Sequence, residues 1–225
     1  MAEALYNRVG QLYTELLIES AYFVPRYRAV KTLKGLDGRG VHVRVLTNSL
    51  ASNDVLAAHA GYARSREELI AGGVEIHELR PYPGPVSKDV ISGRSKAALH
   101  TKAIVFDRRD VFIGSFNLDP RSGDINTEAG LYVESPALAA QVIAYMDEGV
   151  DPDNSYRVRL DEGGMLYWVT EVDGKQQRFD KDPESTATQR SVAGFKGVLP
   201  VIDQLLIRMT VRENGVHPRC NPLLL

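Results

Sequence analysis

The chain has almost no cysteine. Cys220 is alone among 225 residues, so neither an internal disulfide nor a cysteine-based metal site can form, and this usage suits a reducing compartment. Long apolar runs are missing too: no stretch approaches the ~20 residues that span a bilayer. The N-terminal MAEALYNRVGQLYTELLIES lacks a basic start followed by an unbroken apolar stretch, so no signal peptide is expected. Nor is positive charge in excess. With 27 basic and 29 acidic residues the net charge is −2, which supplies no global field toward nucleic acid. A local basic patch and contact with a membrane surface stay open. No internal repeat is visible. What is present is apolar content, 44% of the chain, enough to bury the core of one large domain or of a domain with an extension.

The hydrophobic pattern predicts a helix over residues 3–14, a buried strand over 15–22 and a helix over 26–36. VHVRVLT, from Val41, alternates and is rich in β-branched residues, as a strand should be. Asp54 can cap a helix that Gly72 and Gly73 end, and VEIHELR follows as a strand. That order implies an α/β fold with a largely parallel sheet covered by helices. Residues 81–96 hold three prolines, two glycines and three serines, which makes a loop, mobile or functional. Two strands over 99–107 and 111–115 are joined by the charged turn Arg108, Arg109 and Asp110. A polar loop, a strand over 129–134 and a helix over 136–147 come next. Beyond Asp153, YRVRL, MLYWVTEV and KQQRF suggest a small antiparallel meander, followed by the short apolar segment GFKGVLPVIDQLL. The chain thus divides into a catalytic domain over residues 1–150 and an extension over 151–225 packed on it.

The chemistry is concentrated in LHTKAIVFDRRDVFIGSFN. On a strand, residues i and i+2 share a face, so His100 and Lys102 stand side by side. An imidazole beside a fixed cation is poor core material, because an unpaired buried ammonium is costly. It makes sense where an anion is held and attacked: Lys102 holds a phosphoryl oxygen while His100 attacks phosphorus. The turn returns the second strand, so Gly114 permits close approach while Ser115 and Asn117 offer donors to phosphoryl oxygens. Glu128, at the start of the next strand, can hold the other imidazole nitrogen and fix its tautomer. Asp107 ends an apolar strand, which favours a structural charge pair or turn role over direct catalysis.

The pattern of His100, Lys102 and Asp107, then Gly114, Ser115 and Asn117, resembles the HxKxxxxD and GSxN signature of the phospholipase D superfamily. NLDPRSGDINTEAG, YFVP, GVHVRVLTNSLASNDV and DNSYRVRLDE look like its cardiolipin-synthase and related bacterial branch. The likeness runs from about residue 10 to about residue 207. It implies a phospholipase D-like mixed sheet flanked by helices, and phosphatidyl transfer from a phospholipid through a phosphohistidine. It implies no metal and no cofactor, because Lys102 and the donors neutralise the phosphoryl charge. The site expected is His100, Lys102 and Glu128 as catalytic residues, with Lys102, Ser115 and Asn117 on the phosphate. Asp107 and Gly114 would be structural.

One feature departs from that branch, whose members carry two such motifs. Of the five histidines, His42, His59, His77 and His217 are not followed by a lysine two residues later. The similarity is to the C-terminal half, whose histidine is usually the acid–base partner. The missing motif must come from a second copy of the chain or from an absent N-terminal half. A homodimeric phosphodiesterase or nuclease, and a catalytically silent half-protein with a binding role, are the alternatives; the charge weighs against nucleic acid. The expected place is the cytoplasm or the inner face of the membrane, in peripheral contact. His42 and His77 read as structural histidines, and Arg108 and Arg109 as turn residues. Thr47, Asn48 and Ser49 are either a ligand-binding strand end or simply a polar one. The apolar run from Val198 to Leu206 suits core packing or an interface with the other half better than lipid contact.

Overall fold

A computed structural model describes residues 1–82, 97–172 and 174–198, with side chains through residue 194. The expectations for most of the loop over 81–96, for the end of the apolar segment beyond Val198, and for the irregular C-terminus lie outside the described residues.

The strands are β1 (Glu15–Ser20), β2 (His42–Asn48), β3 (Glu75–Leu79), β4 (Lys102–Phe106), β5 (Asp110–Gly114), β6 (Gly130–Glu134), β7 (Ser155–Leu160), β8 (Leu166–Val172) and β9 (Lys175–Phe179). They form one sheet in the order β6-β5-β4-β1-β2-β3-β7-β8-β9. The mixed α/β sheet expected from the sequence is found. Its parallel part is narrower than expected: only β1 with β2 and β2 with β3 run parallel, and the other pairs are antiparallel. The reason is chain length between strands. A parallel crossover needs a helix-sized connection, whereas the connections β4 to β5, β7 to β8 and β8 to β9 are tight turns that can only reverse the chain.

The helices are α1 (Ala2–Val9), α2 (Tyr27–Asp37), α3 (Leu56–Ala71), α4 (Pro120–Asp124), α5 (Pro136–Val150) and α6 (Ala187–Val198). Helix α1 is shorter than the sequence pattern suggests, closing at Gly10. The short α4 arises in what reads as a polar loop, because the Asp119 side chain caps it by accepting from the Ser122 amide at 2.9 Å and Pro120 sits at its first turn. Alternation along the strands sorts side chains into two cores. Leu16, Ile18, Val43, Val45, Ile104 and Phe106 pack beneath α1, α2 and α3, while Leu17, Ala103, Val105 and Val111 face α5 through Ala139, Ile143 and Met146. The meander continues this same sheet from β3. It is fastened by Glu78, which is fully buried and accepts from the Tyr62 hydroxyl, the Arg66 guanidinium and the Trp168 indole, each at 2.9 Å. A buried carboxylate with three donors is satisfied, and losing any one of them would leave charge uncompensated.

The turn between β4 and β5 is built on Asp107 and Arg108, whose φ values of 50° and 55° are positive, a region that aspartate tolerates better than most side chains. This sets the reversal one residue earlier than Arg108 to Asp110. The Asp107 carboxylate accepts from the amides of Tyr13, Thr14 and Glu15 and from the Thr14 hydroxyl, at 2.8–3.2 Å. Burial pushes its pKa up, but these hydrogen bonds outweigh it and hold the carboxyl below its ordinary 3.8. The bonds tie the chain entering β1 to the hairpin. Asp107→Ala is therefore expected to cost about 1–2 kcal/mol, lowering Tm by roughly 3–8 °C for a chain of this size. Because the folded pKa is depressed, the wild-type advantage should fade as pH falls below 3.8. Thermal melts at pH 7 and pH 3 check both; an undiminished difference at pH 3 would show that the carboxylate's charge is not what stabilises.

Candidate active site

His100, Lys102, Gly114, Ser115, Asn117 and Glu128 collect at one end of the sheet, where β1 and β2 finish, β4 begins, β5 finishes and β6 begins. Asp107 lies at the opposite end of β4, beside the start of β1. The register places Ser20 opposite Lys102 and Gly114 opposite Gly130. A Cβ at Gly114 would collide with the Ala129 carbonyl and the Gly130 Cα. Only glycine lets β5 close on the segment carrying Glu128.

His100 does not lie in β4 as the strand pattern suggested. It sits two residues ahead, exposed, in an irregular segment. That segment is held by Asn48, 1% exposed at the end of β2: its Nδ2 donates to the Leu99 and Ala21 carbonyls, each at 3.1 Å, and its Oδ1 accepts from the Leu99 amide at 2.8 Å. Both backbone groups of the residue before His100 are thus satisfied by one buried amide. At the end of β2, Asn48 thus holds the backbone that leads into His100, and a polar residue closing a parallel strand was its signal in the sequence. Lys102 folds back so that Nζ donates to the His100 carbonyl at 2.7 Å. Burial lowers the Lys102 pKa, offset in part by the carboxylates of Glu128 and Asp119. The ammonium therefore stands beside the histidine as expected, but anchored on its backbone.

Glu128 differs from expectation in two respects. It precedes β6 by two residues, and its oxygens are taken by Ser115 Oγ, in a very short hydrogen bond, and by Asn126 Nδ2 at 3.2 Å, in place of the His100 imidazole. Burial pushes its pKa up, but hydrogen bonds from Ser115, Ser122 and Asn126 and the Lys102 charge outweigh this and keep it low. Ser115 Oγ also accepts from the Ala129 amide at 3.0 Å. Serine and glutamate thus form one unit bridging β5 and β6, with the Lys102 ammonium as electrostatic neighbour. Asn117 is buried; its Oδ1 accepts from the Tyr22 amide at 3.3 Å and its own amide donates to Ser122 Oγ at 3.2 Å. Among the described residues no hydrogen bond engages its Nδ2. His42 and His77 both lie on Glu75, at 3.2 and 2.7 Å, far along the strands from this end.

One residue that the sequence reading passed over as part of a buried strand is Glu19. It is 2% exposed, shares its sheet face with Leu17, and its Oε2 has no hydrogen-bond partner among the described residues. Burial raises its pKa to about 7, with the Thr101 hydroxyl pulling the other way. Thr101 separates His100 from Lys102, and its Oγ1 lies 3.3 Å from the Tyr145 hydroxyl. The folded pKa lies above the ordinary 4.5, so folding takes up a proton between those values. Stability from this group is full below about 4.5 and is lost as pH rises through about 7. Glu19→Gln removes that loss. It is expected to raise Tm by roughly 5–10 °C at pH 8, from on the order of 2–3 kcal/mol, and to change it little at pH 5. Equal Tm differences at the two pH values would refute a buried, proton-linked carboxyl.

Similarity to other proteins points the same way as the geometry. Residues 9–149 match the family described as cardiolipin synthase, PLD-like domain. Cardiolipin synthase C of Escherichia coli (strain K12) is 38% identical over 204 residues, covering 89% of this chain and 43% of its own. An uncharacterized protein of Helicobacter pylori (strain J99) is 30% identical over 187 residues, 82% of this chain and 36% of its own. The chain thus spans less than half the length of these relatives. Among solved structures, the phospholipase D family member Nuc from Salmonella typhimurium superimposes with a TM-score of 0.54 at 18% identity, over 70% of this chain and 90% of its own. Phosphatidylserine synthase of Haemophilus influenzae Rd KW20 gives 0.54 at 14%, over 94% of this chain and 42% of its own. With His100, Lys102 and the GSxN residues gathered at one sheet end, Asp107 bracing the other end of the hairpin, and the family match running through all of them, the chain belongs to the phospholipase D superfamily, in its cardiolipin synthase-like branch.

Proposed function

We propose that this chain is one half of a phospholipase D-type phosphatidyltransferase acting on phospholipid. The supporting observation is the exposed His100 imidazole on a segment pinned by Asn48, with the Lys102 ammonium fixed beside it. One motif histidine attacks the phosphorus of a phosphodiester, forming a P–N bond as the P–O bond to the departing alcohol breaks. The other protonates that alcohol, then takes the proton of an acceptor alcohol, whose oxygen displaces the histidine and restores a diester. As the histidine of a C-terminal half, His100 takes the acid–base part. Lys102, with Asn117 Nδ2 as a neighbouring donor, stabilises charge on the phosphoryl oxygens without metal or cofactor. Ser115, expected to donate to phosphate, gives its one hydroxyl proton to Glu128 instead. Glu128 orients Ser115 and sets the field at Lys102.

The second histidine comes from another copy or from an N-terminal half. The surface for it is the sheet edge beside the site, where Ile113 and Leu131 pair in register and stand 43% and 72% exposed, with Tyr145 on the same side at 54%. Exposed apolar side chains clustered at a sheet edge suit a partner. Among the described residues no helix is long and apolar enough to cross a membrane. The net charge of −2 disfavours a nucleic-acid substrate.

The test is transfer in mixed micelles containing phosphatidylglycerol, with the chain alone and with an N-terminal half of a relative added. Mass spectrometry is expected to find a lipid product carrying two phosphates. Cleavage of nucleic acid with no lipid product in any combination would overturn this reading.

A further inference from the structure

Glu19 is a buried ionisable group that the proposed reaction does not use, and it lies directly behind the catalytic segment. In β1 it is paired with Leu46 of β2 on one side and Ala103 of β4 on the other. With Leu17 it faces the layer made by α5. The carboxyl touches the Thr101 hydroxyl, while Oε2 is without a hydrogen-bond partner among the described residues. The charges carried by that sheet face are committed elsewhere. Arg44 of β2 is ion-paired with Asp147 of α5, and His77 of β3 and Arg157 of β7 both lie on Glu75. Lys102 alternates to the opposite face. The titratable neighbour is Tyr145 of α5, whose hydroxyl is 3.3 Å from Thr101 Oγ1. None of these offsets the burial of Glu19.

Packing does not explain a carboxyl here. A leucine would continue the apolar face of Leu17 and Ala103, whereas a buried carboxyl without a compensating charge is costly. What the carboxyl reaches is Thr101, the one residue between His100 and Lys102. The backbone around it is already fastened to the core strands. The Thr101 carbonyl accepts from the Ala21 amide at 3.2 Å, and Asn48 holds Leu99. The Thr101 side chain is the remaining handle. Uncharged, Glu19 donates its O–H to Thr101 Oγ1, leaving the threonine hydroxyl to donate to Tyr145. Three groups then form a chain from the core to the surface of α5. Ionised, Glu19 can only accept, and a buried charged oxygen without a donor must draw in water or displace Thr101.

We propose that Glu19 is a positioning residue for the active site: in its uncharged form it holds Thr101, and through it the backbone that carries His100 and Lys102. Its effect on transfer rests on the phosphatidyl-transfer reading; the hold on Thr101 does not. Burial raises the pKa to about 7, so the hold is intact below that pH and is lost as pH rises through it.

The test follows backbone amide shifts of the full chain by NMR from pH 5 to pH 9. Thr101 and Lys102 are expected to show an inflection near pH 7 in the wild type and in His100→Ala, and none in Glu19→Gln, which keeps the shape but cannot ionise. No inflection in the wild type, one that survives Glu19→Gln, or one that vanishes with His100→Ala would overturn the proposal. In the assembled enzyme, Glu19→Leu should lower kcat roughly 10–100-fold with KM little changed and a cooperative melt. Glu19→Gln should restore kcat at pH 6 and remove the part of the decline towards pH 8 that Glu19 causes. A Glu19→Leu enzyme as active as wild type at every pH would overturn the positioning role. The amide titration is independent of turnover, so absent transfer with the Thr101 inflection in place would count against the proposed function alone.

Discussion

His100→Ala is expected to bring phosphatidyl transfer by the assembled enzyme to background while leaving the fold unchanged. The imidazole is exposed and its segment is anchored through Leu99 by Asn48, so truncation removes no packing; exposed substitutions of this kind usually stay within about 0.5 kcal/mol. No other described histidine can substitute: His42 and His77 are committed to Glu75 and His59 to Asp182. Histidines that share one reaction act as a unit, so removal of either is expected to cost nearly the whole rate. The measurement pairs product formation in mixed micelles with a thermal melt. Retained turnover with an unchanged melt would remove His100 from the mechanism.

The second large effect concerns the partner. The reaction needs a nucleophile and a general acid on opposite faces of the phosphorus; His100 supplies the acid–base part, and Lys102, held against the His100 carbonyl, cannot stand in for the missing nucleophile. Histidines that act as a unit each carry nearly the whole rate, and loss of a general acid alone costs about 10²–10⁴. An isolated chain without the nucleophile is therefore expected to fall short of the assembled enzyme by at least that factor. Activity should rise more steeply than linearly with chain concentration if the partner is a second copy. It should appear only on adding an N-terminal half if the partner is that half. Leu131→Lys, on the exposed edge of β6 beside the site, should weaken either assembly without altering the melt of the monomer. A dilution series with light scattering checks both. Full activity from a chain shown to be monomeric throughout would refute the need for two motifs.

Some of this was legible in the sequence because it is local. Period-2 alternation in VHVRVLT marks β2, and the spacing of His100, Lys102, Gly114, Ser115 and Asn117 survives as a constellation because a hairpin returns residues of fixed separation to one sheet end. Strand direction was less legible. The helix–strand alternation of the first eighty residues suggests parallel pairing, but hairpins dominate either side of β1 to β3, and pairing depends on which edges remain open once the core strands have met.

The side-chain partners were the least legible. Glu128 bonds to Ser115 in place of His100 because Gly114 lets β5 and β6 approach so closely that the carboxylate reaches the serine first. Asn48 and Glu19 reach the site from strands 51 and 82 residues before Leu99 and Thr101 through partners that no spacing rule connects. The sequence by itself determined the family, the motif residues and the absence of a second motif from this chain, since these reside in identity and spacing. Only the tertiary structure decided which groups hold those residues still, because burial and hydrogen-bond satisfaction exist only once distant strands and helices have packed.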